Sequence, residues 1–104
     1  MDRKELLAAI KEHLLQAHGQ RLRGVVLYGS EARGEAGRDS DIDVLVLLDG
    51  PIDYGKDLRM NITSLYDLFL SLERPINALP VDVLTYEAAE YPLYESAKAD
   101  GIVA

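Results

Sequence analysis

Asp41 and Asp43, one residue apart at the mouth of the apolar run Val44 to Leu48, are the side chains of this chain best suited to chemistry. Successive side chains of a strand alternate, so both aspartates would face one way while Ile42 and Val44 face the other. Their Cα atoms should lie roughly 6–7 Å apart, from a rise of ~3.3 Å per residue. Two carboxylates so close repel each other, and a divalent cation between them offsets that cost. They can converge on one metal or bridge a pair ~3.5–4 Å apart. Hard oxygen ligands with no His or Cys nearby favour Mg2+ or Mn2+ over zinc. The plain alternative is a pair of acids that only solubilises a strand end.

Ten residues separate this motif from Gly29-Ser30, in the stretch LYGSEARGEAGRDSDIDVLVLL. Glycine lets backbone approach a phosphate closely. Serine adds a hydroxyl and an amide at the start of a helical turn, where peptide dipoles favour an anion. A Gly-Ser pair alone is an ordinary turn; placed between one strand and an Asp-x-Asp strand it gains meaning. The Walker pattern of Gly, four residues and Gly-Lys-Ser/Thr is absent, which excludes that class of NTPase.

The elements that must position these residues follow from periodicity. Asp2 to His18 is predicted as a helix, with Leu7, Ile10, Leu14 and Ala17 at helical spacing. Asp2 with Glu5 makes a candidate capping box, and Gly19 a stop. Gly24 introduces a short buried strand, Val25 to Tyr28. Ser30 opens a helical turn through Gly34, and Gly34 to Ser40 is a polar loop. Ile42 to Leu48, apolar on both faces past Asp43, reads as a central strand. Asp49-Gly50-Pro51 closes it. Asp57 to Leu72 is predicted as a helix whose core stripe is Leu58, Ile62, Leu65, Phe69 and Leu72. Pro75 to Pro80 reads as a connection and Val81 to Tyr86 as a third strand. Glu87 to Ala99 is mostly helical with a break at Pro92, and Ile102-Val103 is a last short strand. The expected fold is therefore α+β, a two-layer mixed sheet of three to four strands covered by helices.

At 104 residues the chain is expected to be one domain, 1–104, and 48% hydrophobic content excludes disorder. It has no cysteine, which excludes disulfides and thiolate metal sites. No apolar run approaches the ~20 residues that cross a bilayer, and the N-terminus lacks a signal-peptide core, so a soluble cytoplasmic protein without membrane partner is expected. A net charge of −7 with no basic stripe argues against direct nucleic-acid binding, which draws on Lys and Arg displacing counterions. A small anionic ligand remains compatible if metals and a few arginines neutralise it.

Gly29-Ser30-Glu31-Ala32-Arg33-Gly34-Glu35-Ala36 together with Ser40-Asp41-Ile42-Asp43-Val44 resembles the minimal nucleotidyltransferases of the DNA polymerase β superfamily. Within that group the chain is similar to the MNT antitoxins, which pair with HEPN-domain toxins. The resemblance covers nearly the whole chain, including the first helix, Val81-Asp82-Val83-Leu84 and the closing Tyr94 to Val103. It implies a polymerase β-like nucleotidyltransferase fold and two-metal nucleotidyl transfer with Mg2+, Mn2+ being an alternative. One metal would activate the acceptor hydroxyl and the other would hold the triphosphate of ATP.

By position, Asp41 and Asp43 match the metal-bridging carboxylates, and Gly29 and Ser30 match the phosphate-holding turn. Asp82 matches the third carboxylate, which binds the catalytic metal; its alternative is a solvated acid at a sheet edge. Arg33 is expected to offset triphosphate charge, or else to make a surface ion pair with Glu35 or Asp39. Arg38 is a weaker candidate of the same kind. Glu31 departs from the family pattern, which often has a basic or aromatic residue there. His13 and His18 read as surface histidines, Tyr28 as core beside the turn, and Tyr91 and Tyr94 as anchors of the last helix.

Larger relatives append domains that grip an acceptor, and this chain leaves no length for one. The acceptor is expected to bring its own surface, as a protein would. The resemblance implies transfer of AMP from ATP to a tyrosine of a HEPN-domain toxin. The alternatives are an antitoxin that neutralises by binding alone, and a nucleotidyltransferase acting on a small molecule such as an aminoglycoside.

Overall fold

The computed structural model describes residues 2–37 and 40–104, so the readings made for Arg38 and Asp39 lie outside the described residues. Helix α1 (Arg3–His18) starts as its sequence predicts: Asp2 accepts from the Glu5 amide at 2.8 Å, and Gly19 ends it at φ 60°. Strand β1 (Leu22–Tyr28) leads into a single helical turn, α2 (Gly29–Ala32). Strand β2 (Ile42–Leu48), helix α3 (Tyr54–Leu72) and strand β3 (Ile76–Asp82) follow. Two short helices, α4 (Val83–Glu87) and α5 (Pro92–Asp100), precede β4 (Ile102–Val103).

The sheet is mixed, in the order β3-β2-β1-β4. β1 is antiparallel to β2 and to β4, and β2 is parallel to β3 across the α3 crossover. β2 is interior and buried at Ile42 and from Val44 through Leu48, as its two-faced apolar run requires. The two faces are unequal. Val25, Leu27, Val44, Val46 and Ala78 pack with Leu7, Ile10 and Leu14 of α1 and Leu65 and Leu68 of α3. The other face, with Val26, Leu45, Leu47 and Val81, is covered only by α4 and α5 through Tyr86 and Ala97.

Two sequence expectations are corrected. The third strand is Ile76–Asp82, and Val83–Glu87 is helical where a strand was expected through Tyr86. Prolines made Pro75 to Pro80 look like a connection, but β3 lies at the sheet edge, where a missing amide donor is tolerated. Asp82 then ends the strand by accepting from the Leu84 amide at 2.9 Å, which caps α4.

The buried line of α3 is also rotated from the predicted stripe. It runs through Asp57, Asn61, Leu65 and Leu68, leaving Ile62 and Phe69 exposed. Both buried polar residues are satisfied. Asp57 takes two bonds from Arg21, at 3.0 and 3.2 Å, and Asn61 donates to the Ala78 carbonyl at 2.8 Å. His18, expected on the surface, is buried against Asn61, its Nε2 2.6 Å from Oδ1. His13 bonds its own helix at the Ala9 carbonyl.

Candidate active site

The end of β1 and the start of β2 meet because Tyr28 pairs with Asp43 across the antiparallel ladder. Gly29 then turns at φ 73°, a left-handed conformation that disfavours other residues. The space beside it is as restrictive as the angle: a Cβ on Gly29 would stand 2.9 Å from Asp43 Oδ2. The turn and the Asp-x-Asp strand are thus one site. Burial, and secondarily the Asp43 charge, push the Tyr28 phenol above its usual pKa, so it stays neutral beside the acids.

Asp41 and Asp43 share one face, as strand alternation dictates. The residue between them in space is Asn77, the register partner of Asp43 on β3. Its Nδ2 donates to Asp41 Oδ2 at 3.2 Å and to Asp43 Oδ1 at 3.0 Å. Carboxylates only accept, so the amide nitrogen must face them; with a cation between the acids, the amide oxygen would turn inward instead. Asn77 was missed at the sequence level because its segment looked like a connection. Its polar side chain between Ile76 and Ala78, an alternating pattern, was the available signal.

Asp82 does not join this group. It pairs with Leu48, five residues along β3 from Asn77, so it lies roughly 16 Å away at ~3.3 Å per residue. An odd separation also turns it to the opposite face of the sheet. Its carboxylate packs against Gly50 and caps α4, a structural role at the other end of the strand. Among the described residues, no three His, Cys, Asp or Glu side chains gather closely enough to hold a metal. Two carboxylates and a turned Asn77 amide fit one hard cation. The three-acid set that the resemblance implies is not assembled.

Glu31, the departure from the family pattern, is paired with Arg74, which offsets its charge beside the Gly29 turn. Arg74 donates to Glu31 Oε2 at 2.8 Å and Oε1 at 3.4 Å, and its Nε donates to the Ser40 carbonyl at 3.0 Å. One guanidinium therefore ties α2 to the entrance of β2. Arg3 adds a second tie, donating to the Ala32 carbonyl at 2.7 Å. Neither arginine carried a sequence signal, since both act across long separations. Arg33 makes the surface pair with Glu35, 3.2 Å apart with both side chains exposed. Ser30 is half-buried beside Gly29.

The family model for the nucleotidyltransferase domain matches residues 7–103. The chain belongs to that family. It is 32% identical over 68 residues to the putative protein adenylyltransferase MJ0604 of Methanocaldococcus jannaschii, covering 65% of this chain and 64% of that relative. The match thus spans slightly under two thirds of the relative's length. Among solved structures, the crystal structure of a toxin-antitoxin with AMP-PNP has a similar fold. Its TM-score is 0.64 at 21% identity, over 91% of this chain and 69% of that one.

Proposed function

We propose that the protein transfers AMP from ATP to a hydroxyl of a partner protein, a tyrosine of a HEPN-domain toxin, and so acts as the antitoxin of the pair. What carries this reading is the contact between the Gly29 turn and Asp43, which joins backbone suited to phosphate with carboxylates suited to its counter-ion. Two likenesses support it: the archaeal relative is named a putative protein adenylyltransferase, and the structural neighbour is a toxin-antitoxin crystallised with AMP-PNP.

In this reading Asp41 and Asp43 hold Mg2+ with the triphosphate, and Gly29 and Ser30 contact its phosphates. Arg33, whose pair with Glu35 is exposed, can swing to the outer phosphate oxygens. Mg2+ supplies Lewis-acid polarisation of the phosphoryl oxygens. The acceptor oxygen attacks the α-phosphorus, the bond to pyrophosphate breaks, pyrophosphate leaves, and the hydroxyl proton passes to solvent or to a base. Asp82 takes no part. Dependence on ATP puts the reaction in the cytoplasm, and no helix among the described residues is long and apolar enough to cross a membrane.

The partner's seat in this reading is the exposed side of α3. Ile62, Tyr66 and Phe69 form an apolar groove of about 210 Å³ with Leu65 and Ile76. Ile76 faces α3 while its neighbour Asn77 faces the other side of the sheet, so a protein held there reaches the carboxylates around the β3 edge.

A second reading, neutralisation by binding alone, is favoured by one observation: the β3 side chain beside Asp41 and Asp43 is the amide of Asn77, and the expected third acid, Asp82, lies elsewhere. Incubation with labelled ATP, Mg2+ and the product of the neighbouring reading frame separates the two. Label on the partner that disappears with Asp41→Asn plus Asp43→Asn supports transfer. Full neutralisation by the unlabelled double variant supports binding alone.

A further inference from the structure

We infer that this site takes up one divalent cation with its nucleotide rather than two, and that Asn77 sets that number. The inference rests on the nucleotide-binding reading above and concerns how many ions accompany the nucleotide. Asp41 and Asp43 together with the phosphates of the nucleotide supply ligands for one divalent cation. A second ion, on the acceptor side and away from the outer phosphates, needs a further anionic ligand from the protein on the same face. The strand position that faces Asp43 holds a neutral amide, bonded to both acids at 3.2 and 3.0 Å.

Among the described residues, the other carboxylates near this end of the sheet are committed elsewhere. Glu31 is held by Arg74 and Glu35 by Arg33. Asp82 is on the opposite face, bound to the start of α4. An amide oxygen is a weaker ligand than a carboxylate and offsets none of the ion's charge, so Asn77 completes a first cation's ligands without recruiting a second.

The same amide has a further effect before any ion arrives. By donating to both acids it offsets their mutual repulsion and holds them at a fixed spacing. With a cation bound between the acids, a half-turn of the amide would present its oxygen in place of its nitrogen. The acceptor hydroxyl then meets a held triphosphate without an adjacent ion to draw off its proton. Turnover therefore depends on how readily the acceptor itself ionises.

Equilibrium dialysis with Mn2+ and α,β-methylene-ATP, which blocks transfer, counts ions and nucleotides retained per chain. The expected ratio is one ion per nucleotide for the wild type, two for Asn77→Asp, and one or fewer for Asn77→Ala. Two ions on the wild type, or one on a folded Asn77→Asp, overturns the inference while leaving nucleotide binding intact. Nucleotide retained without any ion also overturns it. No retained nucleotide overturns both this inference and the reading on which it rests, and the transfer assay above reports on that reading independently. If Asn77→Asp does not fold, as judged by circular dichroism, the wild-type ratio alone decides.

Discussion

Gly29 is the most constrained residue of the site. Its left-handed φ and the Asp43 oxygen beside it both exclude a methyl group. Gly29→Ala is expected to cost about 1–3 kcal/mol, the scale of a residue held in a sparsely populated backbone region. It should also displace Asp43, so urea unfolding should report the loss and the rise in melting temperature with Mg-ATP should vanish. Arg74 is a different case, since it touches no reacting atom. Arg74→Ala removes its bonds to Glu31 and the Ser40 carbonyl and leaves a partly buried acid unpaired. A loss of about 1–3 kcal/mol is expected. Nucleotide affinity should fall with it, and Glu31→Gln combined with Arg74→Ala should restore part of the stability by removing the unpaired charge. A double-mutant cycle followed by urea denaturation checks both statements.

At the scale of the elements, α3 carries two separate jobs on two faces. Its buried line places Asp57 against Arg21, and that hydrogen-bonded guanidinium, opposed by burial, holds the Asp57 carboxyl below the ordinary value near 3.8. A lowered folded-state pKa means that the pair's contribution is complete above the unfolded value and is lost as pH falls below it. Stability should therefore drop as pH falls below about 4, and Asp57→Asn should flatten that part of the profile in acid titrations of the melting temperature. The outer face of α3 should matter only to the partner. Tyr66→Glu, at a residue 51% exposed, is expected to fold and bind nucleotide normally while losing co-purification with the proposed partner.

These elements also define what the sequence could reveal. α1, β1, β2 and the Gly-Ser turn were legible because local periodicity, a cap and a glycine each agreed with the tertiary result. β3 was not legible, since two prolines argue against a strand unless its edge position is known, and edge position is a property of the whole sheet. The stripe of α3 was misjudged because Asp57 and Asn61 look solvent-facing until Arg21 and the Ala78 carbonyl are brought to them. Asp82 matched the family motif in linear order, whereas register and face, both set by pairing with β2, remove it from the site.

At the scale of the molecule, the proposed function asks a chain of net charge −7 to bind an anion. In the proposed function, electrostatics is expected to make a divalent cation a condition of nucleotide binding. ATP with Mg2+ should stabilise the fold by about 2.7 kcal/mol at a hundred times the dissociation constant, and ATP with a chelator should not. Differential scanning fluorimetry of the wild type and the Asp41→Asn, Asp43→Asn double variant checks this. The uneven cover of the sheet sets the direction of approach. Asp43 and Asn77 lie on the face that α4 and α5 cover only in part, so a nucleotide is expected to reach them from that side.

The amide clasped between Asp41 and Asp43 has a consequence for heredity. Both asparagine codons become aspartate codons by one A-to-G transition at their first base. On the inference drawn from Asn77, a chain expected to bind a second ion and turn over faster is thus a single nucleotide change away. A library of random point mutants selected for rapid ATP consumption is expected to return that transition at codon 77 ahead of changes elsewhere.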